Sequence, residues 1–217
     1  RNITPLNRRL IKSIQLLKPP PKQTVSEWAV EHRILSAEAS AESGKYNLAR
    51  APFQKGWQDA ISDPRMHTII GMTSAQVGKT ETFLNNPVGY FIAQDPAPIL
   101  VIQPTLEMAQ TWSKDRFAPM LRDTIVLKEL VKDPRARDSN NTILHKTFAG
   151  GHITMAGANS ASSLASRPIR IVFMDEVDRF PVSAGSEGDP VALTKKRTTT
   201  YWNRKIIMTS TPTVKGA

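Results

Sequence analysis

From residue 53 onward, short apolar runs alternate with stretches in which apolar residues recur at helical spacing. The apolar runs predict β-strands at 67–72, 98–103, 152–156, 169–174 and 205–210, and the other pattern predicts helices at 53–62, 79–93 and 106–121. The run at 169–174 is apolar nearly throughout, as a strand buried on both faces of a parallel sheet should be. Strands interleaved with helices predict an α/β fold with a central, mostly parallel sheet flanked by helices.

The first part of the chain has a different character. Residues 1–24 are basic and contain three consecutive prolines, so they predict an extended arm or linker rather than a helix. A short helix is predicted over 26–33, and the polar, turn-rich residues 133–141 predict an exposed loop. We therefore predict a basic N-terminal arm over 1–24 and one principal domain over 25–217.

The composition narrows the classes of function. The longest apolar runs are far shorter than the roughly 20 residues that cross a membrane, so no membrane partner is expected. The absence of cysteine excludes disulfides and thiolate metal sites and fits a reducing compartment. The chain has 29 Lys and Arg residues against 19 Asp and Glu residues, a formal charge of +10. This excess favours a polyanionic partner such as DNA or RNA.

A phosphate-binding loop is the first candidate site, because the predicted strand 67–72 runs into a small-residue turn that ends in Gly-Lys-Thr. Such a loop directs backbone N–H groups and a helix N-terminus at phosphates. Lys79 is expected to reach the β- and γ-phosphates, and the Thr80 hydroxyl to ligate Mg²⁺. Thr73 stands where the usual motif has its first glycine. The predicted nucleotide-binding residues of the loop are Ser74, Ala75, Gln76, Val77, Gly78, Lys79 and Thr80.

Two adjacent carboxylates, Asp175 and Glu176, come directly after the apolar run 169–174. Ligands of open parallel sheets bind at the carboxyl ends of the strands. One carboxylate at this position can hold Mg²⁺, and the next can act as a general base on an attacking water. An acidic pair alone often does no more than end a strand, but together with the loop and the α/β alternation it predicts ATP hydrolysis.

Two weaker segments fit the same chemistry. Phe53 and Gln54 open a predicted helix, where an aromatic ring could stack on adenine and the amide could pair with it. The strand at 205–210 ends in the hydroxyl side chains of Thr209, Ser210 and Thr211, which could sense the γ-phosphate and couple hydrolysis to motion.

The order of these motifs resembles the ATPase domain of the large terminase subunit of tailed bacteriophages, and within that family the lambdoid DNA-packaging motors most. The resemblance covers roughly residues 25–217, and in this family a loop of the form S-x-Q-x-G-K-[ST] is common, so Thr73 is expected. The segments that carry it are Phe53-Gln54, S-A-Q-V-G-K-T at 74–80, Q-P-T at 103–105, V-F-M-D-E at 172–176 and T-S-T-P at 209–212.

The resemblance implies a RecA-like P-loop ATPase that uses ATP and Mg²⁺ to move double-stranded DNA into a procapsid in the host cytoplasm. It implies a portal protein and a small terminase subunit as partners, a homo-oligomeric ring on the procapsid and a monomer in isolation. By position, Lys79 and Thr80 would hold phosphate and Mg²⁺, Asp175 would hold Mg²⁺ and Glu176 would activate water. Thr209, Ser210 and Thr211 would couple hydrolysis to motion, and Gln54 would mark the adenine pocket.

The chain departs from the family pattern in two places. Many relatives have an arginine at the position of Ala75, so another arginine is expected to serve. Arg167 is the candidate for a finger acting on a neighbouring subunit, with Arg179 in reserve and a plain structural role as the alternative. After residue 180 the only acids are Glu187 and Asp189, too few for a two-metal nuclease site. We therefore expect no DNA cleavage and interpret the chain as the ATPase portion of a longer protein.

Two other functions remain open on sequence grounds. The first RecA-like domain of a superfamily 2 helicase has close variants of the same motifs, and a second α/β repeat beyond residue 217 would identify one. A catalytically inert nucleic-acid-binding scaffold is the other, although such a protein has no reason to retain Lys79, Thr80, Asp175 and Glu176 together.

Overall fold

A computed structural model describes residues 22–131, 141–160 and 167–211. Most of the predicted arm and nearly all of the predicted loop at 133–141 lie outside these residues, as does Pro212 of the T-S-T-P segment. Within the described residues, no helix is both long enough and apolar enough to span a membrane.

A six-stranded sheet forms the centre of the domain. The strands of the chain are β1 Ile34–Leu35, β2 Gly44–Lys45, β3 Thr68–Met72, β4 Pro98–Gln103, β5 His145–Phe148, β6 Gly151–Gly157, β7 Ile171–Met174 and β8 Lys205–Ser210. The order in the sheet is β3-β8-β7-β4-β6-β5, and β1 and β2 form a separate two-stranded hairpin. All neighbouring pairs in the sheet are parallel except β5 and β6, which are antiparallel. All five predicted strands are present, which confirms the α/β fold with a mostly parallel sheet.

The predicted helices are also present, but two of them contain a π-helical turn. The helices are α1 Val25–His32, α2 Gln54–Ser62, α3 Asn86–Ala93, α4 Leu106–Trp112, α5 Ala118–Asp123, α6 Ile125–Leu130 and α7 Pro190–Lys196. One π-turn, Glu81–Asn85, leads from the loop into α3, and the other, Ser113–Phe117, joins α4 to α5. Such turns insert an extra residue and are frequent at functional sites.

Some elements were not predicted from the sequence, and each is short or half polar. Strand β5 lies at the edge of the sheet, so only Lys146 and Phe148 of its four residues are buried and no apolar run marks it. Helix α7 has exposed lysines in its last turn. The strands β1 and β2 have two residues each, too few for a periodic signal.

The two faces of the sheet carry two apolar cores. One core includes Phe91, Val101 and Phe173, and the other includes Ile102 and Met174. All four residues of β7 are buried, which confirms the prediction that this strand is covered on both faces. Because β3, β8, β7 and β4 are parallel, their carboxyl ends meet at one edge of the sheet, and the loop, the acidic pair and the hydroxyl residues that end β8 lie there.

Candidate functional site

The carboxyl ends of β3, β8 and β7 bring the loop and the acidic pair into direct contact. Lys79 Nζ lies 2.5 Å from Glu176 Oε1 and 3.5 Å from Asp175 Oδ1. Lys79 and Asp175 are both buried. An ion pair between buried partners that are far apart in sequence fixes the loop against the end of the central strand, and it holds the lysine where it can exchange a carboxylate for a phosphate.

Left-handed backbone at two positions shapes the loop. Gln76 has φ 63° and Gly78 has φ 76°. A side chain at Gly78 would be strained by this φ, and its Cβ would lie 2.5 Å from Gln54 Nε2. The loop therefore curls tightly before Lys79 and Thr80, where the helical backbone begins.

Gln54 has a different environment from the one that an adenine-reading residue would need. Its side chain is buried, its Nε2 donates to the Val77 carbonyl at 2.8 Å, and its Oε1 accepts from the Tyr46 hydroxyl at 2.8 Å. The amide of Gln54 thus stabilises the shape of the loop through its hydrogen bond to the loop backbone, a role that sequence reasoning missed. Phe53 is 51% exposed and makes an edge contact with Trp57, so its ring still offers a surface to a base.

Asp175 is held by three hydrogen bonds. It accepts from Thr209 Oγ1 at 2.8 Å, from Gln103 Nε2 at 3.3 Å and from the backbone N–H of Glu176 at 3.1 Å. These donors orient the carboxylate. Asp175 therefore offers carboxylate oxygens of fixed direction at the end of β7.

Glu176 combines a rare backbone conformation with an unused oxygen. Its φ of 55° and ψ of 49° place it in the left-handed region, where a side chain other than glycine is strained and where functional residues often lie. Its Oε1 accepts from Lys79, whereas its Oε2 is buried and has no hydrogen-bond partner within the described part of the chain. A buried carboxylate oxygen without a partner is suited to accept a hydrogen bond from a water.

The three hydroxyl residues at the end of β8 all reach the acidic segment or the cavity beside it. Thr209 donates to Asp175, the Ser210 hydroxyl is hydrogen-bonded to the Asp178 carboxylate, and Thr211 lines the cavity in front of the loop. The structure thus brings the predicted coupling residues together with the predicted metal ligand.

Two neighbouring cavities open at this edge of the sheet. The loop cavity, of about 550 Å³, is lined by the loop, Glu176, Arg179, Arg116 and Thr211. The second cavity, of about 580 Å³, includes Thr80, Gln103, Asp175 and Arg116. Arg179 therefore lies at the site, as sequence reasoning allowed. Arg116 was missed, because nothing in the sequence distinguishes it from other exposed arginines.

Arg167 lies elsewhere in the same chain. It is exposed and lies near His145 and His152. Burial is the larger cause that lowers the pKa of His145, and the positive charge of Arg167 lowers it further. His152 pairs with Pro98, the first residue of β4, so this group lies toward the amino-terminal edge of the sheet. Arg167 is not brought to the loop of its own chain.

The donor set fits Mg²⁺. Thr80 and Asp175 line one cavity, so a hydroxyl and a carboxylate oxygen face the same space. Among the described residues, no group of three or more His, Asp or Glu side chains could hold a metal ion. Mg²⁺ does not require such a group, because it is commonly held by one or two carboxylates together with substrate phosphates and water.

Comparisons with known proteins point to one family. The sequence matches the family model of the ATPase domain of the phage terminase large subunit gpA over residues 40–217. No curated protein matches the sequence. The family match favours the terminase interpretation over the helicase one.

The similar solved structures include large terminases of two phages. The large terminase of a thermophilic bacteriophage is 22% identical, with a TM-score of 0.49, over 73% of this chain and 37% of that one. The large terminase ATPase domain of Thermus phage P74-26 is 15% identical, with a TM-score of 0.47, over 68% of this chain and 61% of that one. The first of these terminases in complex with ADP is 20% identical, with a TM-score of 0.44, over 66% of this chain and 33% of that one. The chain thus spans less than two thirds of the length of each of these structures.

Proposed function

The chain belongs to the family of ATPase domains of the phage terminase large subunit gpA, and from this premise we propose that it hydrolyses ATP with Mg²⁺ to drive double-stranded DNA into a procapsid. The observation that carries the proposal is the contact of Lys79 with Glu176 and Asp175, beside a buried Glu176 oxygen without a partner in the described residues. A phosphate-binding lysine, a metal ligand and a general base are thereby assembled at one point.

Binding of ATP begins with an exchange of partners at Lys79. The triphosphate enters the loop cavity, and Lys79 leaves Glu176 for the β- and γ-phosphate oxygens. Backbone N–H groups of the loop and the start of the following helix bind the remaining phosphate oxygens. Phe53 offers its exposed ring to the base, and Gln54 keeps the loop in its curled shape.

Thr80 and Asp175 would hold the Mg²⁺ ion, with Gln103 and Thr209 orienting Asp175. When bound, the ion neutralises negative charge on the phosphate oxygens. The hydrogen bonds to Asp175 fix its direction before the nucleotide arrives, so the ligand needs no rearrangement.

Hydrolysis uses the oxygen of Glu176 that Lys79 does not occupy. Glu176 accepts a proton from a water whose oxygen bonds to the γ-phosphorus, while the bond from that phosphorus to the β–γ bridging oxygen breaks. The products are ADP and inorganic phosphate. Departure of Lys79 to the nucleotide frees the whole Glu176 carboxylate for this proton transfer.

Coupling to DNA movement runs through the end of β8. Thr209 contacts Asp175 and Ser210 contacts Asp178, so loss of the γ-phosphate can shift the acidic segment and β8 together. The formal charge of +10 supports binding to DNA phosphates, which should weaken steeply with salt. The portal protein, the small terminase subunit, a homo-oligomeric ring and a site of action in the host cytoplasm follow from the family and belong to the same proposal.

An arginine from a neighbouring subunit is expected to complete the active site. Arg167 is exposed and distant from the loop of its own chain, which leaves it free to reach the site of the next subunit. Arginines supplied in this way increase phosphoryl transfer by about 10³ to 10⁵. We therefore expect the isolated chain to be a slow ATPase.

The test compares phosphate release and nucleotide binding in three variants. Glu176→Gln should retain ATP binding and lose at least about 100-fold in turnover, because the general base is gone. Lys79→Ala should weaken both binding and turnover. Glu187→Gln, which removes an exposed acid outside both cavities, is the control and should behave as the wild type. Unchanged turnover in Glu176→Gln would refute the catalytic assignment.

A further inference from the structure

Arg116 and Thr80 are the two residues that line both cavities of the site. Thr80 is the proposed hydroxyl ligand of Mg²⁺, so the junction of the two cavities is where the terminal phosphate of a bound ATP would lie. Arg116 belongs to the π-turn Ser113–Phe117 and lines both cavities, so it lies at this junction. Sequence and family resemblance assign it no role.

The charge balance at the site calls for a further cation. Lys79 faces both Asp175 and Glu176, so these three groups together carry a net charge of −1. Glu81 is compensated by Arg33, which is buried and lies 3.0 Å away. A triphosphate is strongly negative, so positive charge from Arg116 and Arg179 would add to the attraction that Lys79 and Mg²⁺ provide.

The two arginines occupy different places. Arg179 lines only the loop cavity, next to Glu176 and Thr211, whereas Arg116 also reaches the cavity that contains Asp175. No ion pair to Arg116 is found within the described residues, so its guanidinium is available to a ligand. A planar guanidinium can bind two phosphate oxygens at once.

Packing fixes Arg116 relative to the phosphate-binding loop. Within its π-turn, Ser113 and Phe117 are buried, and Trp112 stacks on Phe117 with ring centroids 5.1 Å apart. Trp112 Nε1 also donates to Asn85 Oδ1 at 2.9 Å, and Asn85 belongs to the π-turn that directly follows the loop. The two π-turns are therefore tied to each other, and the extra residue that each inserts sets the direction of the exposed side chains.

On the basis of the proposed ATPase function, we infer that Arg116 binds the γ-phosphate of ATP in its own chain and adds positive charge there. As the water oxygen bonds to the γ-phosphorus and the bond to the bridging oxygen breaks, Arg116 stabilises the charge on the γ-phosphate oxygens. ADP lacks this group, so Arg116 also makes the site distinguish ATP from ADP.

The test separates recognition of the γ-phosphate from general binding. In a Glu176→Gln background, which prevents turnover, Arg116→Ala should weaken ATP binding by about 10- to 100-fold, the value of a charge-assisted hydrogen bond, and leave ADP binding within about threefold. With Glu176 intact, Arg116→Ala should lower single-turnover hydrolysis by about 10³-fold, at the same ratio to the wild type at every protein concentration. Arg116→Lys should restore part of the loss.

Lys128→Ala, which removes an exposed positive charge from α6 outside both cavities, is the matched control and should change neither affinity nor turnover. Equal losses of ATP and ADP affinity, or turnover of Arg116→Ala within about threefold of the wild type, would overturn the role of Arg116 and leave the ATPase proposal intact. A wild-type chain that neither binds nor hydrolyses ATP would overturn both.

Discussion

Replacement of Gly78 by alanine tests the contact between the loop and Gln54. The φ of 76° at Gly78 costs an alanine about 1–2 kcal/mol relative to glycine. The new Cβ would also lie 2.5 Å from Gln54 Nε2 and displace it from the Val77 carbonyl, a hydrogen bond whose loss costs about 0.5–1.5 kcal/mol. Together these terms predict that the ATP complex loses about 1.5–3.5 kcal/mol relative to unfolded chain and free ATP.

Where this loss is seen depends on whether the free loop can relax. If it keeps its shape, the loss appears in the free energy of unfolding; if it relaxes, the loss appears as ATP affinity weakened by about 10- to 300-fold. Both the free energy of unfolding and the free energy of ATP binding are therefore measured in the same variant, by urea unfolding and by titration with a fluorescent ATP analogue. The sum of the two changes is compared with the predicted loss.

A double-mutant cycle isolates the contact. In a Gln54→Ala background the colliding atom is gone, so Gly78→Ala should cost only the backbone strain, about 1 kcal/mol less than in the wild type. If Gly78→Ala changed neither unfolding nor ATP affinity, or if the two substitutions were additive, the inferred support of the loop by Gln54 would be wrong.

Three further predictions concern the core and the edge of the sheet. Thr209→Val should lower the free energy of unfolding by about 1.5–3 kcal/mol in urea titrations, because buried Asp175 loses a 2.8 Å hydrogen bond. Phe173→Ala should cost about 3–5 kcal/mol in the same assay, because the ring is 1% exposed at the centre of the sheet. Burial is the main cause that lowers the pKa of both His145 and His152 in the folded chain. The stability that the two neutral rings contribute is therefore present above the pKa of histidine in the unfolded chain, and it is lost as the pH falls through the lower pKa values of the folded chain. His152→Gln should therefore reduce the fall in Tm between about pH 7 and pH 5.

The sequence was sufficient to predict the sheet and to place the phosphate-binding loop beside the acidic pair at one edge of it. Strand β7 is buried on both faces, so its apolar run was visible, and a parallel sheet places the residues after β3, β7 and β8 at one edge. Proximity of Lys79 to Glu176 is a consequence of that topology alone.

The roles of Gln54 and Arg116 could not be predicted in the same way. Gln54 acts through a long-range contact with Val77, and its short distance from Gly78 depends on the left-handed loop. The direction of Arg116 depends on the extra residue of a π-turn, which no apolar periodicity reveals. The place of Arg167 beside His145 depends on β5, an edge strand whose half-polar sequence gives no signal.

The position of the triphosphate can be observed in a crystal structure of the chain with Mg²⁺ and a non-hydrolysable ATP analogue. We expect the triphosphate to lie between the loop and the acidic pair, Lys79 to have left Glu176 for the phosphates, and Arg116 to contact the γ-phosphate. A triphosphate bound outside the loop cavity, with the 2.5 Å contact between Lys79 and Glu176 intact, would contradict this expectation.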